Sequence, residues 1–320
     1  PVYCLSLGPL QQLKQMMDMK NIELAQESRA MRMARFLGMQ KIAWSLRRVH
    51  CPVDAKALVL EIGAGGNPYF RSNVLVDAYE STGERHWVPL TMDRPTVLAF
   101  AETLPFKDKE FDFVIASHVL EHSLDPVRFL GEMQRVSKAG YIEVPDAFME
   151  RINPYPDHRL EITVRNGKLV IRKKKAWHVD PELVELYEDR VKQIVTGHVI
   201  PSHPFDFHVR YYWADKIDYV IVNPEVEIFM GEAEQPNTRL IQTASMRSKV
   251  QAQLLKTIRN LFSQHARNSQ IDLIKLLQCT NCQHGELAKR DETLVCQGCG
   301  KKYLIRNGMP DMTNAIEALS

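Results

Sequence analysis

The sequence predicts an α/β fold: a doubly wound, mostly parallel sheet with an inserted hairpin-and-helix region and a small cysteine-rich unit at the C-terminal end. Three observations predict it. The apolar run Leu58-Val59-Leu60-Glu61-Ile62 ends in Gly63-Ala64-Gly65-Gly66, three glycines in four positions. A second apolar run, Val74-Leu75-Val76, ends in an acid, Asp77. Strand and helix signals then alternate as far as Val144. Such alternation calls for a parallel sheet covered on both faces. A glycine loop after the first strand and an acid after the second is the layout of a nucleoside-binding sheet, the acid accepting from ribose hydroxyls.

Composition sets the bounds. The chain has 320 residues, 45% hydrophobic and 25% charged, which suits one large domain and a small accessory one. A formal charge of +2 is too small to imply a nucleic-acid partner from the total alone. No apolar run reaches the roughly 18 residues of a membrane span. The opening Pro1-Val2-Tyr3-Cys4 has no signal-peptide pattern. The expectation is a cytoplasmic protein with reduced cysteines.

Taken in order, 1–56 reads as an N-terminal helical segment. Its Met and Leu side chains are expected to pack on the core while Arg29, Arg32, Arg35, Arg47 and Arg48 stay solvated; a lid or a basic surface is the alternative. The main domain is expected over 57–230, with strands near 57–62, 73–77, 111–116 and 140–144. Between the last two, Asp125 suits an N-cap and Pro126 the first turn of a helix reaching Lys138. An insertion is expected over 146–215. In it Asn166-Gly167 suits a type I′ turn between strands 161–165 and 168–172. A helix near 181–194 and a His- and aromatic-dense stretch, 201–213, follow, and Lys216 to Val222 reads as a strand returning to the sheet. Residues 231–270 read as a linker and basic helix, and 271–320 as a separate small unit.

Asn67-Pro68 after Gly66 departs from G-x-G-x-x-G. A helix cannot begin through Pro68 without adjustment, so the loop suits a nucleoside without pyrophosphate. No G-x-x-x-x-G-K-[ST] segment is present, and a nucleoside triphosphatase is not indicated.

Two further blocks follow in order: Ala101-Glu102-Thr103-Leu104-Pro105-Phe106 running to Phe111-Asp112, and Ser117-His118-Val119-Leu120-Glu121-His122 running to Asp125-Pro126. With the glycine loop, they resemble the class I S-adenosylmethionine-dependent methyltransferases of the type 11 kind, whose fold is Rossmann-like. The resemblance covers about 57–145. It implies that Glu61, Gly63, Ala64 and Gly65 form the loop at the methionine end of the cofactor and that Asp77 holds the ribose. Ala101 and Glu102 would lie beside the adenine, and Ser117 and His118 near the sulfonium. Asn67 stands where the family has a third glycine, and Phe100 where many relatives have an acid.

His118, Glu121 and His122 are candidates for a general base or a metal site, since His and Glu at this spacing can share one cavity if the segment turns helically. The competing assignment is that they cap and orient the following helix. His158, His203 and His208 are second-line candidates on the acceptor side. Arg159, Arg165, Lys168 and Arg172 to Lys175 make the hairpin basic, and Arg172 and Lys173 could grip an anionic acceptor; a solvated strand face is the alternative.

Cys279-Thr280-Asn281-Cys282 and Cys296-Gln297-Gly298-Cys299 form C-x₂-C-x₁₃-C-x₂-C. Four thiolates at this spacing close a tetrahedral Zn²⁺ site with no open position, hence a structural one. The flanking Leu276-Leu277-Gln278 and Tyr303 to Asp311 make 271–313 similar to the zinc-ribbon activator subunit shared by tRNA, rRNA and release-factor methyltransferases. The resemblances together imply a methyltransferase with S-adenosylmethionine and structural zinc. A small molecule or glycan is expected as acceptor, with RNA or protein, gripped by hairpin and ribbon, as the alternative. A non-catalytic methyltransferase-like scaffold is the third reading.

Overall fold

The computed structural model describes residues 26–82, 88–177, 180–229, 262–283 and 285–316. The expected helical residues before 26 and most of the linker and basic helix, 230–261, lie outside the described residues.

Five strands form the parallel centre: β1 (Val59–Ile62), β2 (Val74–Asp77), β3 (Thr96–Leu98), β4 (Phe113–Ser117) and β5 (Ala139–Pro145). Their order is β3-β2-β1-β4-β5. Every residue of β1, β2 and β3 is buried, as expected of strands covered on both faces. Because β1 lies between β2 and β4, the winding reverses there, and a crevice opens beyond the strands' carboxyl ends.

Two N-terminal helices, α1 (Arg29–Phe36) and α2 (Gln40–Leu46), pack against each other, and α2 also packs on the helical stretch 200–207. Ser28 caps α1 through the amide of Met31. Met31 is buried, but Met33, Phe36 and Met39 are exposed. The expectation of solvated arginines fails at Arg47, which reaches in to the buried carboxylate of Glu143 at 2.7 Å. Helix α3 (Pro126–Val136) forms as the sequence predicts. Asp125 accepts from the amide of Arg128, and Phe129, Leu130, Met133 and Val136 are buried.

The insertion holds α4 (Ala147–Ile152), the hairpin β6 (Leu160–Arg165) and β7 (Lys168–Lys173), and α5 (Pro181–Arg190). Asn166 and Gly167 both have positive φ, 51° and 73°, as a type I′ turn requires. Two expectations need correction. The strand that closes the main sheet is β8 (His208–Ala214), antiparallel to β5 over seven residue pairs. The segment expected to return, β9 (Tyr219–Ile221), instead joins β7 in a separate three-stranded sheet. The physical reason is alternation: Val209, Tyr211 and Trp213 point inward and are buried while their neighbours are not, the period-2 pattern of a sheet edge. The insertion therefore ends before His208.

The C-terminal unit is not a separate body either. Its strands β10 (Leu287–Arg290), β11 (Thr293–Cys296), β12 (Lys302–Arg306) and β13 (Met309–Ile316) extend the main sheet. The joint is a parallel pairing of β13 with β3, Asp311 opposite Leu98. A bridge between Phe106 and Leu277 reinforces it, with the Gln278 amide donating to the Pro105 carbonyl at 2.9 Å. Leu277, Leu294, Tyr303 and Met312 share one buried cluster with Leu104 and Phe106. Left bare, the outer edge of β3 would present unpaired N–H and C=O groups; β13 covers them.

Candidate functional site

The crevice at the ends of β1, β2 and β4 is lined by Ile62 and Gly63 from the first strand, Val76, Asp77, Ala78, Tyr79 and Thr82 from the second, Ala99 and Ala101 from the third, and His118, Val119 and His122 from the fourth. Its wall is largely apolar with one carboxylate. Gly63 has φ +67°, and a Cβ there would stand 2.8 Å from two carbons of Val119. Only a glycine leaves that space open. Gly65, φ +55°, turns its amide onto Asp77 Oδ2 at 3.1 Å, and the Tyr79 amide donates to Asp77 Oδ1 at 3.2 Å. The loop and the acid thus fix one another. The left-handed turns fall on Gly63 and Gly65, and position 67 lies outside the positive-φ set. Asn67 in place of a third glycine costs the loop no backbone strain.

Glu61 does not line the crevice. Buried to 2% exposure, it accepts from the Tyr69 amide at 2.8 Å and the Ser72 hydroxyl at 2.5 Å, tying down the loop's return. Burial raises its pKa, with Arg48 opposing. Ser117 turns its hydroxyl to Glu143 Oε1 at 3.1 Å, and Glu102 accepts from Ser123 at 2.5 Å. Both side chains are occupied by the scaffold rather than aimed into the crevice. Phe100, 37% exposed, meets Tyr79 edge-on with centroids 6.0 Å apart at the rim.

The fourth-strand end carries the densest electrostatics. Glu143 of β5 is fully buried and accepts from Arg47, Tyr141 at 2.5 Å and Tyr69 at 3.2 Å. Burial works against its charge, but His118 and Arg47 outweigh it and hold the carboxyl well below the usual range. His118 sits in left-handed backbone, φ +56°, a strained conformation for a non-glycine residue. Its ring lies 3.4 Å from Glu121 and 3.5 Å from Glu143. Burial opposes its proton, yet the two acids raise its pKa to about 9, even with 41% of the side chain open to the crevice. The two facing acids favour the protonated ring, the form that donates rather than accepts a proton.

The remaining candidates separate. His122 and His158 meet edge-to-face, centroids 4.8 Å apart. His208 lies 5.4 Å from His118 and 4.7 Å from Trp44. Burial lowers its pKa, as does the charge of His118. His203 is not brought to the crevice; it is exposed beside Asp206. Arg172 and Lys173 line a different groove with Arg151, Lys175, Trp177 and Tyr187, where Arg151 and Arg172 both face Glu161. The sequence reading missed Tyr79, Arg47 and Glu143. Glu143 had a signal, a lone acid inside the apolar strand Tyr141-Ile142-Glu143-Val144.

In the C-terminal unit the sulfurs of Cys279, Cys282, Cys296 and Cys299 lie within 4.8 Å of one another, with Cys279–Cys299 and Cys282–Cys296 at 3.6 Å. Gly285 is required beside them, since a Cβ there would fall 2.0 Å from Cys296 Sγ.

Residues 74–142, which carry Asp77, Ala101 and the His118–His122 turn, match the methyltransferase domain family. The chain carries a methyltransferase domain. An uncharacterized protein of Methanocaldococcus jannaschii is 32% identical over 81 residues, 25% of this chain and 40% of that protein. Among solved structures, an S-adenosylmethionine-dependent methyltransferase of Thermotoga maritima is 27% identical over 32% of this chain and 49% of its own, with a TM-score of 0.25. A chain from the complex of the Haloferax volcanii Trm112 methyltransferase activator with a methyltransferase is 16% identical, covering 57% of this methyltransferase-domain chain and 94% of that one, TM-score 0.34. The chain thus spans less than half the length of the first relative and about half that of the Thermotoga structure.

Proposed function

We propose that the crevice binds S-adenosylmethionine and that the chain is a methyltransferase whose acceptor is a small molecule or glycan held on the His118–His208 side. One observation carries the reading. Asp77 is fixed by the Gly65 amide beside a backbone that leaves no room for a Cβ at Gly63, and the acid lies within the segment that matches the methyltransferase domain. The residues fit the cofactor: an apolar wall for the base and, at the end of the second strand, a carboxylate of the kind that accepts from ribose hydroxyls. When bound, the cofactor supplies a methyl group already activated by its sulfonium.

Each part then has a task. Gly63 and Ala64 give the methionine end its space, and Asp77 orients the ribose. Ala101 offers backbone beside the adenine, with Glu102 bracing that loop through Ser123. Ser117 braces Glu143, and His118 and His122 border the acceptor. His208, Trp44 and Phe205, with Trp44 within 5.2 Å of Phe205, wall the far side. Catalysis of this kind is mostly positioning, which is worth several kcal/mol of barrier, about 7–11 at its best.

A second reading, an RNA or protein acceptor, draws on the groove of Arg172 and Lys173. Arg151 and Arg172 share Glu161 and Lys174 is paired with Glu150 at 2.7 Å, so the groove's positive charge is partly, not wholly, neutralised. Tritiated cofactor and cell extract, split into small-molecule, protein and RNA fractions, decide between them. Label in small molecules or glycans is expected; label confined to RNA overturns the acceptor assignment. Calorimetry with S-adenosylmethionine separates enzyme from scaffold, since no binding by the folded protein ends the enzyme reading.

The four cysteines are proposed to hold one structural Zn²⁺. Ligands about 2.3 Å from a tetrahedral zinc stand roughly 3.8 Å apart, close to the 3.6 Å of the two near sulfur pairs. Because the ribbon already covers β3, the edge is filled within the same chain. Among the described residues no helix is long and apolar enough to cross a membrane.

A further inference from the structure

We infer that Glu121, His122 and His158 form a second metal site, for a divalent first-row transition ion, at the acceptor end of the crevice. The three side chains each bring one ligand atom within 4.8 Å of the others. His158 replaces His118 in the set that sequence spacing suggests, and it comes from the inserted region, 36 positions further along the chain than His122. The hairpin delivers it. The Arg159 amide donates to the Glu121 carbonyl at 2.7 Å, and its guanidinium to the His122 carbonyl at 3.0 Å. Residue 158 is thereby pinned against the turn Leu120–His122.

Glu121 supplies the first argument. It is 2% exposed, and neither carboxylate oxygen accepts a hydrogen bond. His118 Nδ1 stands 3.4 Å from Oε1, an ion-pair distance without hydrogen-bond geometry. His118 offsets part of the charge, but both buried oxygens still lack a hydrogen-bond donor, which is costly unless something else satisfies them. A cation between Glu121 and the two rings does so.

The imidazoles supply the second. His122 Nδ1 lies 3.1 Å from the Asp157 carbonyl, and His158 Nδ1 lies 2.6 Å from Glu150 Oε2. Glu150 is itself 3% exposed and held by Lys174 at 2.7 Å. This is the outer support that metal-binding histidines characteristically have: one ring nitrogen donates to a carbonyl or carboxylate, and the other keeps its lone pair for the metal. The rings meet at 88°, so they do not stack and can converge on one point.

The donor set selects the ion class. Two imidazoles with one carboxylate suit zinc, iron, cobalt or nickel, whereas magnesium and calcium prefer all-oxygen shells. Three protein ligands leave positions open for an exchangeable oxygen donor. His122 also lines the crevice, so an open position there would take an acceptor hydroxyl and make its oxygen a better nucleophile. That last point rests on the methyl-transfer reading; the metal site does not.

The test uses the full chain with its ribbon zinc in place, titrated with Co²⁺ and followed by visible absorption and metal analysis. One equivalent beyond the ribbon ion is expected, without thiolate-to-cobalt charge-transfer bands. Glu121→Gln and His158→Asn, checked for fold by circular dichroism, are expected to lose it. Glu150→Gln, which leaves all three ligand side chains in place and is checked for fold in the same way, is expected to weaken it roughly 10–100-fold, so the inference stays testable if a ligand variant fails to fold. A wild-type protein that takes up no second equivalent overturns the site, as does a second equivalent that survives in both ligand variants. Calorimetry with S-adenosylmethionine on the same samples reports the cofactor reading separately.

Discussion

Removing Arg47 tests whether the N-terminal helices are part of the site's foundation. Its guanidinium holds Glu143 in two bonds, Nε to Oε2 at 2.7 Å and Nη2 to Oε1 at 3.0 Å. The side chains are 12% and 0% exposed, so little solvent screens the pair. Breaking such a pair from one side costs about 3–5 kcal/mol because a charge stays buried without its partner. Glu143 keeps Tyr141, Tyr69 and Ser117 as donors, which points to the low end, about 3 kcal/mol, or roughly 150-fold in the folding equilibrium. Arg47→Met is therefore expected to shift the urea midpoint strongly at pH 7. In a Glu143→Gln background the same change is expected to cost about 1–2 kcal/mol less, the coupling typical of residues in direct contact.

The pH dependence follows with a definite sign. The Glu143 carboxyl is held below its ordinary range by His118 and Arg47 against the opposing effect of burial. A depressed carboxyl contributes stability that is present above its unfolded value, near 4.3, and lost as pH falls through the lower folded value. Without Arg47 the folded value rises, so acid unfolding begins at a higher pH. Urea curves by circular dichroism at pH 7 and pH 5 read both effects. A loss under about 1 kcal/mol, or an equal loss with and without Glu143 ionisable, refutes the reasoning.

Three further outcomes are expected. Gly63→Ala adds about 1–2 kcal/mol of backbone strain at φ +67° and a clash with Val119. It is expected to weaken S-adenosylmethionine at least ~10-fold by calorimetry, while Gly38→Ala, at φ +72° in open space, leaves affinity unchanged; equal affinities would contradict the loop's assignment. Cys296→Ser is expected to lose the ribbon metal and to speed hydrogen exchange at Thr96–Leu98, because β13 pairs with β3; full metal with unchanged exchange would count against both the zinc and the shared sheet. Burial raises the Cys51 thiol to about 11, so iodoacetamide at pH 8 is expected to label it far more slowly than an unfolded control, and labelling at the control's rate would contradict it.

Local order was legible in this sequence, and distant pairing was not. Strands β1, β2, β4 and β5 read as near-continuous apolar runs because both their faces are buried. Helix α3 announced itself through Asp125-Pro126. The hairpin was fixed by two residues at its tip. By contrast, β8 carries its alternation on Tyr211 and Trp213, aromatic residues that also suit a binding wall, so edge strand and substrate surface look alike in sequence. The junction of Leu98 with Asp311 leaves no local trace, because it is decided by which edge lacks a partner.

The same distinction runs through the three buried acids around the crevice, Glu61, Glu121 and Glu143. Each follows or interrupts an apolar stretch, and each is at most 2% exposed. The fold satisfies two of them from nearby and distant donors alike. Glu61 takes the Tyr69 amide and Ser72; Glu143 takes Arg47, two tyrosines and Ser117. Glu121 takes no hydrogen bond, and the groups arranged about it are imidazoles already anchored through their other nitrogens. A scaffold that supplies hydrogen bonds to two carboxylates and gives the third only the facing ring of His118 leaves that third one with lone pairs a ligand could use. On the inference drawn above, that ligand is a metal ion.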